Sequence, residues 1–182
     1  MNLIVLAMKI YIPKWIKRNN LNLLFESTAM AFGVDMPPLD HLSYEQLLEK
    51  YAVFTRTETE KRLQSGDGVP EIEHALYQHA YNLGSKLRKQ LSLKKKKDVL
   101  AVVSVLYRAI GIDFRWNDAG SIEIHSCYFS RFYSEAACRI ISSMDEGIIA
   151  GLSGGGTLSF SERITEGQPL CKAFFNFNGD AV

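Results

Sequence analysis

The apolar spacing of the chain changes period at Gly111, and that change limits the fold more than any other feature. Before it, apolar residues recur at three- and four-residue steps, the spacing of one helix face. Ile72, Leu76, Ala80, Leu83, Leu87 and Leu91 form one stripe, and Val99, Val103, Leu106 and Ile110 form another. After it, Ile122 and Ile124 alternate with Glu123 and His125. Leu158, Phe160, Glu162 and Ile164 alternate with Ser159, Ser161 and Arg163. That period of two marks a half-buried strand.

Helix boundaries follow from local chemistry. Asn20 to Phe32 predicts a helix that ends at Gly33, with Pro37 and Pro38 in the next loop. Ser43 with Gln46 is a capping box, and its helix runs through Tyr51 and Phe54 to Leu63 before Ser65-Gly66-Asp67-Gly68 stops it. Pro70 sits at a favourable first-turn position of the following helix. A later helix spans about Ser134 to Leu152, with Ala137, Ile141, Met144 and Ile148 on one stripe. Glu166-Gly167-Gln168-Pro169 predicts a turn, and Leu170 to Phe177 the returning strand. The expected architecture is α+β: an N-terminal helical layer on a small antiparallel sheet, with the helix from Ser134 laid across it.

Charge narrows the partners. The 182 residues carry 21 basic and 20 acidic side chains, for a net charge of +1. Phosphate neutralisation needs a basic excess, so nucleic acid is not an expected partner. Lys94 to Lys97 read as a solvated connection between helices. Three cysteines are too few and too odd in number for a secreted disulfide framework, so a cytoplasmic protein is expected. In the apolar segment Met1 to Ile12, the positive charges of Lys14, Lys17 and Arg18 come after the run, unlike a signal peptide. A helix docked on the domain or on a partner is the preferred reading. An amphipathic membrane anchor with Trp15 at the interface is the alternative.

Candidate chemistry gathers in the last third of the chain. Across a hairpin closed by a four-residue turn, Glu162, Ile164, Cys171, Ala173, Phe175 and Phe177 share one face, and Glu162 is then a carboxylate on an apolar surface. Cys138 and Asp145 stand seven residues apart, nearly two helical turns, on the same side as Ile141 and Ile148. Glu123, His125 and Cys127 share a strand face opposite Ile122 and Ile124. Thiolates, imidazole and a carboxylate suit zinc, a thiol with a neighbouring base suits nucleophilic catalysis, and buried cysteines are commonly inert. The cysteine spacing, from 127 to 138 to 171, matches no short zinc motif, and all three readings stay open. Gly154-Gly155-Gly156 follows a helix, which favours a helix stop over an anion cradle.

Cys127-Tyr128-Phe129-Ser130, Cys138-Arg139, Met144-Asp145-Glu146-Gly147, Gly151-Leu152 and the run from Arg163 to Cys171 resemble the L-2-amino-thiazoline-4-carboxylic acid hydrolase family. The resemblance spans about residues 43 to 177, with the aromatic after Cys171 one place late. It divides the chain into an N-terminal helical extension, residues 1–42, and a hydrolase-like α+β domain, residues 43–178. The same stretch is more distantly similar to vinyl-4-reductase-type small-molecule-binding domains. The resemblance implies hydrolysis of a small cyclic amidine bearing a carboxylate, opened to an N-carbamoyl amino acid. It implies Glu162, Asp145 and Cys127 as catalytic candidates, and Arg139, Arg163 and His125 as substrate-binding candidates. Cys127, Cys138, Cys171 and Glu162 would be the ligands if zinc is the cofactor. The alternative is a non-catalytic, sensor-like binding domain with a structural metal or inert cysteines. The expected partner is a small molecule, with a homo-oligomer left open.

Overall fold

The computed structural model describes residues 11–66 and 68–177. The docked-helix expectation for Met1 to Ile12 lies almost wholly outside the described residues. At its edge, Ile12 is buried, whereas Trp15 is 72% exposed.

Among the described residues the chain forms five α-helices and a four-stranded sheet, an α+β arrangement. The helices are α1 (Lys14–Phe32), α2 (Tyr44–Ser65), α3 (Val69–Leu91), α4 (Lys96–Ala109) and α5 (Glu135–Ser153). The strands are β1 (Ile112–Trp116), β2 (Ser121–Cys127), β3 (Thr157–Glu162) and β4 (Cys171–Asn176). All pairings are antiparallel, in the order β1-β2-β4-β3. None of these helices is long and apolar enough to cross a membrane.

The caps are those the sequence dictates. Ser43 accepts from the Gln46 amide and Gln46 bonds back to the Ser43 amide, so two otherwise unpaired donors of α2 are satisfied. Ser134 accepts from the Ala137 amide and starts α5. Gly154 closes α5 in the left-handed conformation, at φ 82°, which makes the triple-glycine stretch a helix stop.

Two apolar clusters fill the interior. The larger joins Leu21 and Phe25 of α1, Leu47 and Tyr51 of α2, and Val99 and Val103 of α4 to the inner sheet face of Ile122, Ile124, Ala173 and Phe175. Helix α1, expected in an N-terminal extension, thus contributes to the main core. The smaller cluster holds Phe32 of α1, Ile72, Leu76 and Ala80 of α3, and Ile140 and Met144 of α5. Helix α5 touches both. Its seat on α3 is very close, because Gly147 and Gly151 meet the α3 backbone at Tyr77 and Tyr81 with no intervening side chain.

Two β-irregularities decide which side chains face inward. Between β1 and β2, Asp113 pairs with Ser126 while Phe114 pairs with Ile124, so β2 carries one extra residue, His125. Between β3 and β4, the register slips between Phe160 and Glu162, and Glu162 pairs with Lys172 rather than with the inward-facing Ala173. An extra residue reverses the in-and-out alternation beyond it.

Candidate functional site

A cavity of about 160 Å³ lies between α5, the other helices and the inner edge of the sheet. Its lining is mainly apolar: Leu24 of α1, Leu83 and Leu87 of α3, Leu106 of α4 with Ile110 just past its end, and Ile141, Met144 and Ile148 of α5. Aromatic rings close part of it. Tyr51 meets Phe129 edge-on at 5.9 Å, and Phe129 stacks on Tyr133 at 5.7 Å.

Among the described residues, Asp145 brings the one carboxylate of this lining. It stands on the α5 face that also carries Cys138, Ile141 and Ile148, so the helical spacing placed it correctly. The Tyr107 hydroxyl donates to Asp145 Oδ1. Among the described residues, the other carboxylate oxygen takes no hydrogen bond. Burial pushes the Asp145 carboxyl up to about 6, against the opposing hydrogen bond from Tyr107. Burial, together with the Asp145 charge, holds the Tyr107 phenol well above its ordinary range. Tyr107 is the residue the sequence reading missed. It lies four residues beyond Val103, on the edge of the apolar stripe of α4, and a phenol in such a stripe needs a polar partner.

The three cysteines all line this cavity. Cys127 reaches it because the bulge at His125 turns it from the outer strand face to the inner one. Burial pushes its thiol up to about 12. Burial also raises Cys138, with the neighbouring Thr165 hydroxyl opposing the rise. Cys171, likewise raised by burial, accepts a hydrogen bond from the Ile164 amide at 3.3 Å. Burial holds all three thiols in the neutral form, the reverse of an activated nucleophile. A thiol-specific disulfide reagent at pH 8 should therefore label Cys127 at least about tenfold more slowly in the native protein than in urea-unfolded protein, because the raised pKa lowers the thiolate fraction more than it raises the thiolate's nucleophilicity. Peptide mapping by mass spectrometry reads the rates. Fast native labelling of Cys127 would contradict its burial.

Several expected site residues lie elsewhere. Glu162 was expected on the apolar hairpin face, but the β3–β4 bulge turns it outward, where Lys172 pairs with it at 2.9 Å. His125 was expected beside Cys127, but as the bulged residue it stays on the outer face and meets Glu123 at 3.0 Å. Arg139 is more than half exposed and pairs with Glu166 at 2.7 Å and with Glu135 at 3.1 Å. Arg163 is 11% exposed, lies over the Phe160 ring at 4.6 Å and stands 3.9 Å from Glu166. It does not line the cavity, although its charge reaches Asp145 and lowers the carboxyl.

The expected zinc set of Cys127, Cys138, Cys171 and Glu162 does not form. Glu162 is on the opposite face of the sheet, and among the described residues no three His, Cys, Asp or Glu side chains converge on a common metal position. Sharing a cavity wall is a weaker condition than meeting at one point with bond lengths near 2 Å.

No protein-family model matches the chain, and no curated protein matches it.

Proposed function

We propose that this protein binds a small, compact, largely apolar molecule in the cavity against α5. The observation that carries this reading is a carboxylate held by one tyrosine in the wall of an otherwise apolar cavity of about 160 Å³. An apolar cavity of about 150 Å³ holds a benzene-sized ring, and ligand sites typically combine apolar walls with a few placed polar groups. An ionisable group is expensive in such a wall, and a ligand that uses it supplies the reason to keep it. The three free cysteines support a reducing, cytoplasmic setting.

Toluene is a suitable probe. Titrated into protein labelled at its leucine and isoleucine methyl groups, it should shift the resonances of Leu83, Leu106 and Ile148. The cavity-filling variant Leu106→Trp should remove those shifts. Shifts confined to exposed methyl groups, or none at millimolar toluene, would contradict the reading.

One observation favours a second reading, the ring-opening hydrolase implied by the resemblance. A carboxyl poised near pH 6 suits general acid–base work at neutral pH. Asp145 would then activate the water, with Cys127 in the same cavity and Glu162, Arg139 and His125 outside it. Incubation with 2-amino-thiazoline-4-carboxylate discriminates the two. Formation of an N-carbamoyl product that is lost in Asp145→Asn supports hydrolysis, and binding without product supports the first reading.

A further inference from the structure

We infer that the cavity selects a protonated amine on a compact apolar body over neutral and anionic isosteres, with Asp145 taking the ammonium on the oxygen that Tyr107 leaves free. This rests on the ligand-binding reading above.

The charge environment is one-sided. Among the described residues the lining holds one carboxylate and no lysine, arginine or histidine. An anionic ligand would meet no cation in the wall and would face Asp145, so its desolvation would go uncompensated. An ammonium meets the carboxylate in a site of low polarity, where a charge-assisted hydrogen bond is strongest.

The groups facing Asp145 leave that selectivity intact. Tyr107 on α4, Tyr51 on α2, Tyr133 before α5, Cys127 on β2, Cys171 on β4 and Cys138 on α5 are all kept neutral by burial. Glu146 and Arg163 are the charged groups that reach Asp145 through space, with opposite signs. The Arg163 guanidinium is already engaged with the Phe160 ring and Glu166, outside the lining.

Calorimetric titration with toluene, benzylamine and benzoate, three probes of one shape and different charge, tests this. At pH 7.5 benzylamine should bind about tenfold more tightly than toluene, the scale of one charge-assisted hydrogen bond, and benzoate should not bind. The preference should fall at pH 5, where Asp145 is largely protonated. It should vanish in Asp145→Asn. Toluene binding as tightly as benzylamine, or benzoate binding, would overturn the inference and leave the cavity reading standing. Failure of all three to bind would overturn both.

Discussion

An Asp145→Asn variant is expected to be about 1 kcal/mol less stable than the parent at pH 4 and about 2 kcal/mol more stable at pH 8. The unfolded chain titrates this carboxyl near its ordinary value of 3.8, and the folded protein titrates it at about 6. Between those values the folded state holds the proton that the unfolded state has released. Stability from this group is therefore complete below pH 4 and is lost as pH rises through 6. About two units correspond to about 3 kcal/mol. Asparagine escapes that loss at high pH. It brings an amide donor with no partner in the cavity wall, which costs about 1 kcal/mol at every pH. Urea denaturation of both proteins at pH 4 and pH 8 reads the difference directly. Parallel pH profiles would mean that Asp145 is solvated in the folded state. A residue that lowers stability at neutral pH is what a binding or catalytic role predicts.

A Gly151→Ala substitution is expected to cost about 3 kcal/mol or more, although it adds a single methyl group. The new Cβ would stand 2.2 Å from the Tyr81 carbonyl oxygen, 2.8 Å from the Ser85 amide nitrogen and 3.0 Å from Gly84 Cα. All three are backbone atoms of α3 and cannot swing aside as a flexible side chain would, so α3 and α5 must separate. Because α5 carries Cys138 and Asp145 and α3 carries Leu83 and Leu87, the separation would also widen the cavity. Gly167→Ala is the control. Its φ of 83° disfavours alanine, but nothing lies within 4 Å of the new methyl. Its expected cost is about 1 kcal/mol, from backbone conformation alone. Thermal unfolding of both variants ranks them. An equal, small loss in each would contradict the close helix contact.

These two residues also mark what could be read from the chain beforehand. The helices followed from apolar spacing and capping chemistry, and the same spacing put Asp145 on the Cys138–Ile141–Ile148 face. The strands were harder. Ile112, Phe114 and Trp116 alternate with Asp113 and Arg115, but five residues directly after a helix stop form a short signal, and β1 went unread. Strand faces depend on register, and one extra residue inverts them. The slips at His125 and between Phe160 and Glu162 have no sequence mark of their own. One brought Cys127 inward and the other turned Glu162 outward. The Tyr107–Asp145 bond links side chains 38 residues apart on separate helices, so it depends on tertiary packing that neither helix pattern specifies.

The claim beneath the proposed function is that Asp145 lies in the wall of a largely apolar, ligand-sized cavity. Carbon-13 NMR of the aspartate carboxyl groups, with Asp145 assigned by the Asp145→Asn variant, tests that claim most directly. A midpoint near pH 6 in the free protein, moving down when benzylamine is added, is the expected result. A midpoint near 4 that benzylamine leaves unmoved would contradict it.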